Sequence, residues 1–294
     1  MLGGLAALGS AAAWAFGTIL VKGPTGRFSA LYISAFRSVF AALLVVVTVA
    51  AVGQIHEVAR IPGWAIGFLL SGSVIVVLGD LAFVRAIALD DMSRVFPVTT
   101  GLYILTSVLA SALFFHERVT WLTFVGGLLV IVSVSLIAMA RQPGSRQQTV
   151  SRKLWHVPGL LLSVVAAVLW TVSLFILDKA MTVAEPMPAV VLRIPFTAVL
   201  LLAMGWVRGE QKRYHGIGRR DVVALVVSGV LVGLSGILFT AAVRWESAGI
   251  VSILSSTSPL FVVPVAILVL KEPVNKNVIV GTGLCMVGIW LTMI

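Results

Sequence analysis

Charged side chains are scarce in this chain. Asp, Glu, Lys and Arg make up 11% of its 294 residues, against 60% hydrophobic residues and a mean hydropathy of +1.10. That is too little polar surface for a water-soluble domain of this size. Acidic residues are rarer than basic ones, 11 against 21, and the net charge of +10 sits in loops. On a soluble protein such an excess would suggest nucleic acid. Here the retention of Lys and Arg in cytoplasmic loops accounts for it, and no nucleic-acid partner is expected. The single cysteine, Cys285, cannot form an intrachain disulfide and reads as a small packing residue. The four histidines, His56, His116, His156 and His215, fall in loops or at the ends of apolar runs. That denies the serine of GLSG (233–236) the histidine base an intramembrane protease would need. LGD (78–80) lacks a second mid-span aspartate, HERVT (116–120) lacks the second histidine of a zinc site, and no GxxxxGK[ST] loop is present. Enzymatic activity, ATP-driven pumping, a metal and any other cofactor are therefore not expected.

What fills the chain is roughly ten apolar runs of about 20 residues, matching a ~30 Å hydrocarbon core at ~1.5 Å per helical residue. They lie near 2–21, 29–52, 64–88, 93–115, 120–140, 157–177, 188–207, 221–243, 248–270 and 276–294. Runs of that length favour helices, because a barrel strand needs only about ten alternating residues. The expected fold is an all-α membrane protein of ten transmembrane helices, multi-pass in the cell membrane, with the lipid bilayer as its main partner. No basic segment precedes the first run and another run follows at once, so it is expected to remain a span. The 27 glycines suit close helix packing in lipid.

The chain contains itself twice. AAAWAFGTILVK, ending at Lys22, returns as AAVLWTVSLFILDK, ending at Lys179. The offset is 156 positions from Trp14 to Trp170 and from Arg37 to Arg193, and 155 from Glu117 to Glu272. Residues 1–140 and 153–294 therefore read as two five-helix repeats joined by a linker, 141–152. Five is odd, so the second copy enters the membrane from the opposite side. Inverted-topology repeats of this kind are a plan of many secondary transporters.

These landmarks resemble the drug/metabolite transporter superfamily, in its EamA branch of ten-helix proteins. The matching features are Trp14 with Gly17 and Lys22, Arg37 early in the second span, and the ALDDMSR and RWESAGI segments before spans four and nine. Pro259 in span nine, Glu117 and Glu272 before spans five and ten, and Gly126 and Gly281 after them complete the pattern. The resemblance implies a transporter of a small-molecule substrate and is nearly silent on which one. One departure is that Trp170 is followed by Thr171, so the two half-sites are not chemically equivalent.

Several residues stand out against the apolar background. Asp80 lies past the middle of the third span, where a lone carboxylate costs ~2.5–3.5 kcal/mol on insertion scales. It reads either as a protonatable coupling group or contact for a cationic substrate group, or as a structural partner of Arg37 or Arg85. Arg85 is five residues away, outside the i, i+4 relation. Arg37 and Arg193, in symmetric places, are expected in packing and salt-bridge roles. Spans four and nine carry polar clusters, TTGLYILTS (99–107) and SSTSPLFVVP (255–264). At an offset of 155, Thr100 aligns with Ser255 and Tyr103 with Ser258. Thr100, Tyr103 and Ser107 share one helix face, as do Ser255 and Ser258. Polar or Pro-interrupted segments at matching positions of two repeats point to a transporter site, although Ser and Thr also glue helices together. Trp14 and Trp170 sit too deep for an interfacial belt and read as cavity walls or as core.

The expected function is secondary transport, as export of small metabolites such as amino acids or related compounds by alternating access. Efflux of cationic drugs is the alternative, with a channel or an intramembrane enzyme further behind. A homodimer is one partner arrangement the sequence leaves open. The loops after odd-numbered spans hold 15 Lys and Arg, and the opposite loops hold 4. By the positive-inside rule both termini lie outside, whereas the family resemblance implies cytoplasmic termini.

Overall fold

The computed structural model describes residues 2–114, 121–139, 158–209, 218–246, 248–255, 257–268, 270 and 276–291. The linker 141–152, Glu117 and Glu272 lie outside the described residues. Among the described residues there is no strand; the helices are α1 (Leu2–Ile19), α2 (Lys22–Thr25), α3 (Ala30–Ala51), α4 (Gly63–Leu89), α5 (Met92–Phe114), α6 (Trp121–Met139), α7 (Pro158–Met181), α8 (Pro186–Val207), α9 (Arg219–Trp245), α10 (Ala248–Ser255), α11 (Pro259–Leu268) and α12 (Lys276–Leu291), with a short 3₁₀ turn at Ile55–Arg60. Seven of them, α1, α3, α4, α5, α7, α8 and α9, are long and apolar enough to cross a membrane. The apolar helical stretches in α6, α11 and α12 are shorter, at 10–17 residues.

The ninth apolar run differs from the continuous span expected. It is two helices, α10 and α11, with the break just before Pro259. A proline has no N–H to donate and is at home in the first turn of a new helix. The carbonyls freed by the break are taken up locally: Thr257 Oγ1 donates to Leu254 O at 2.7 Å and Ser258 Oγ to Ser255 O at 2.7 Å. Pro97 leaves α5 unbroken.

The surface is inside-out relative to a soluble protein. Leu43, Val47, Phe124, Val199, Leu202 and Val280 are all exposed, while serines and threonines are buried between helices. Contiguous apolar surface on this scale is unsuited to water and suited to lipid. Trp64, Trp121, Trp206, Trp245 and Trp290 are exposed and stand at or near helix ends, where an interfacial aromatic belt belongs. Trp14 and Trp170 stand apart from this set, mid-helix and half-buried.

The helices pack in related pairs. α1 runs along α9 and α4 along α7; α3 meets both α8 and α9. Ser228 Oγ on α9 donates to Gly17 O on α1 at 2.7 Å, and Ser173 Oγ on α7 donates to Gly72 O on α4 at 3.0 Å. Each residue of one bond lies 156 positions from a residue of the other. Such serine bonds spare helix carbonyls from lipid and lock the register of neighbouring helices. The backbones of α9 and α3 come close together at two glycines. A Cβ placed on Gly229 would lie 2.8 Å from Phe40 Cβ and would collide with the Arg37 carbonyl oxygen. One placed on Gly233 would lie 3.0 Å from Ala41 Cα. The missing side chains at this small-xxx-small pair let the two backbones touch, which sets the position of Arg37 on α3.

Candidate functional site

Where the related helix pairs converge, they enclose a cavity of about 230 Å³. Its wall takes Ser10 and Trp14 from α1, Ser34, Arg37 and Ser38 from α3, Asp80 from α4, Thr100 and Tyr103 from α5, Trp170 and Ser173 from α7, Arg193 and Thr197 from α8, Ser235 and Gly236 from α9, and Ser255 and Ser258 at the α10–α11 break. The rest of the lining is apolar, and among the described residues its charged members are Asp80, Arg37 and Arg193.

Trp14 and Trp170 meet edge to face, with ring centroids 5.4 Å apart, and Phe83 packs on both at 5.2 and 5.1 Å. Tyr103 lies edge-on to Trp170 at 6.4 Å. Trp14, Trp170 and Tyr103 thus supply aromatic surface to the cavity wall, with the buried Phe83 packed behind the two indoles. Trp170 also orients Asp80: its Nε1 donates to Asp80 Oδ1 at 3.0 Å. The indole fits there because Gly79 has no side chain; a Cβ on Gly79 would fall 2.7 Å from Trp170 Cδ1.

The arginines differ from each other. Arg193 Nη1 donates to Thr240 Oγ1 at 3.2 Å, and that hydroxyl donates on to Gly236 O at 2.8 Å. Arg37 is 3% exposed, and its Nη1 has no hydrogen-bond partner. Both positive charges act on Asp80, yet neither arginine is among the direct ion pairs of the described residues. The 156 offset accounts for the asymmetry. The position equivalent to Asp80 is Gly236, and the position equivalent to Thr240 is Val84. Two symmetric arginines thus share one carboxylate, and only one of them has a hydroxyl acceptor.

The structure revises several sequence-based expectations. Arg37 and Arg193, expected in packing and salt-bridge roles, stand on the cavity wall and form no direct ion pair with Asp80. Ser107 does not reach the cavity; it is buried and lies 3.3 Å from the Thr171 hydroxyl, in a polar clamp that also holds Thr106 to Thr171 at 2.6 Å. Seven residues carry it about 10 Å along the helix from Thr100, past the cavity. Arg85 is exposed and off the cavity, because five residues turn it about 140° around α4 from Asp80. Thr100 and Ser258 line the wall but donate their hydroxyl protons to their own helices, to Phe96 O and Ser255 O, both at 2.7 Å. Sequence reading missed Ser10, Ser34, Ser38, Ser173, Thr197 and Ser235. Ser34 had a signal, since it stands three residues before Arg37 on the same helix face and four before Ser38. The GLSG serine, Ser235, pairs with Ser10 at 2.9 Å.

With the chain folded around such a cavity, its relatives can be compared. A model of the EamA-like transporter family matches residues 1–139 and again 157–294. The chain belongs to the EamA-like transporter family. It is a multi-pass membrane protein of a transporter family, as the landmarks around Trp14, Arg37 and Pro259 led one to expect. A protein of Bacillus subtilis (strain 168) named as the uncharacterized transporter YvbV is 28% identical over 141 residues, which is 47% of this chain and 45% of that protein. One solved crystal structure superposes with a TM-score of 0.70 at 18% identity, covering 97% of this chain and 94% of its own. At that identity the likeness concerns the fold alone.

The Trp170–Asp80 bond offers a contained test. Trp170→Phe keeps the ring contacts and removes the donor. A hydrogen bond to a charged group contributes about 1.5–3 kcal/mol to stability, so the thermal unfolding temperature of Trp170→Phe in detergent is expected to fall by several degrees; an unchanged melting curve would show that the bond contributes nothing.

Proposed function

We propose that this EamA-like protein is a secondary transporter that exports small metabolites such as amino acids from the cell by alternating access. In this reading it crosses the cell membrane ten times, α10 and α11 together forming the ninth span. Residues 1–140 and 153–294 are inverted five-helix repeats joined by 141–152. The observation that carries the reading is the cavity wall itself, which draws Trp14 with Trp170, Arg37 with Arg193, and Thr100 with Ser255 from equivalent places in the two halves. The paired serine bonds to Gly17 and Gly72 support the same relation. Two related halves around one site can exchange conformations and so open it to each side in turn. The cavity is smaller than the ~300–1,000 Å³ typical of drug-sized ligands, which favours metabolites over bulky drugs. Two arginines to one carboxylate disfavour organic cations.

The test is reconstitution of the purified protein in vesicles loaded with an unlabelled compound, followed by uptake of the labelled compound. Saturable counterflow is expected. Single-channel currents without saturation would put a channel in its place. Orientation is open to a separate check. The loop charges predict both termini outside, so a periplasm-active reporter fused to Ile294 should be active and a cytoplasm-active one silent; the reverse result would overturn the charge count.

A further inference from the structure

Three residues of the cavity lining carry a buried polar atom without a hydrogen-bond partner: Arg37 Nη1, Ser34 Oγ and Ser255 Oγ. A guanidinium can only donate, and a hydroxyl can always donate. The three therefore form a donor set that calls for an acceptor. Asp80 does not serve as one. It receives Trp170 Nε1, and neither arginine pairs with it directly. Arg193, by contrast, is already met by Thr240. The second half has glycine where the first has Asp80, so the described residues of the lining carry two positive charges and one negative.

We propose that Arg37, Ser34 and Ser255 form a subsite for the carboxylate of a small substrate whose apolar body lies against Trp14, Trp170 and Tyr103. The carboxylate supplies the negative charge that Gly236 does not, and its oxygens accept from the guanidinium and the two hydroxyls. Charge-assisted bonds of this kind are short and strong, and arginine is well shaped to hold a carboxylate. An amino group on the same molecule is tolerated, with Asp80 as its counter-charge, but is not required. This inference rests on the transporter reading for its physiological sense, whereas the subsite is a matter of binding alone.

The experiment uses the full-length purified protein and matched ligands sharing one apolar body. One series is phenylalanine, 3-phenylpropanoate and 2-phenylethylamine; a second has an isobutyl group in place of benzyl. Binding is read by calorimetry in detergent and by counterflow in vesicles. The acid and the amino acid of at least one series are expected to bind, and the amine to bind at least tenfold more weakly. Arg37→Gln should weaken the acid at least tenfold, and the Ser34→Ala/Ser255→Ala double variant about tenfold. The double variant removes no charge and keeps the test sound should Arg37→Gln fail to fold. An amine that binds as well as its acid, binding by none of the compounds, or folded variants with unchanged acid affinity would each overturn the proposal. Acid binding without counterflow would uphold the subsite and sink the transport reading instead.

Discussion

Asp80→Asn is expected to leave a folded, monodisperse protein that has lost gradient-driven transport and kept counterflow. Asparagine preserves the shape, and its amide oxygen can still accept from Trp170 Nε1, now 3.0 Å from the carboxylate. What disappears is the one negative charge among the described residues of the cavity wall. At an effective dielectric of about 20, a charge pair 4 Å apart is worth about 4 kcal/mol, and breaking a fully buried pair costs about 3–5 kcal/mol. Arg37 and Arg193 stand further from Asp80 than a direct ion pair, and Asp80 and Arg193 are only half-buried. The loss of stability should therefore fall below those figures and the fold should survive. Asp80→Ala, which also removes the acceptor for Trp170, should be the less stable of the two. Gradient-driven uptake, counterflow and thermal unfolding of both variants separate the cases. Unchanged uptake driven by a pH gradient in Asp80→Asn would exclude this residue as the proton carrier. Loss of folded protein in Asp80→Asn would make its role structural.

The second large effect is expected at Gly229. Gly229→Val forces side-chain atoms onto the backbone of Arg37, which cannot swing aside as a side-chain tip can. Overpacking typically costs about 1–3 kcal/mol, and a backbone obstacle puts this site at the upper end. A large drop in folded yield is expected, or a melting temperature well below that of the unmodified protein. Gly67→Ala on α4 serves as the control, because a Cβ there meets nothing within 4 Å. It should be neutral or stabilising by about 0.5–1 kcal/mol. Equal behaviour of the two variants in a detergent unfolding assay would show that α3 and α9 do not touch as described.

The sequence by itself determined the helical class and the location of most helices. An apolar run of membrane length must satisfy its backbone internally, and in lipid a helix does so within the run. It also determined that Trp14 answers to Trp170 and Arg37 to Arg193, because an offset between repeats survives translation into space. Only the tertiary structure decided which side of each helix faces the cavity. In a soluble helix the polar face marks the outside. In a span surrounded by lipid, the lipid-facing and protein-facing sides are both apolar, so that signal vanishes. Arg37 therefore read as a packing and salt-bridge residue, and its place on the cavity wall became visible only once Gly229 and Gly233 were seen to fix its helix. Ser107 read as site-lining until it was found clamped to Thr171, and nothing in the sequence showed that Ser34 and Ser255 would line the same cavity. Those placements depend on how helices cross, and crossing is set by small residues on two chain segments at once, which no single run of sequence contains.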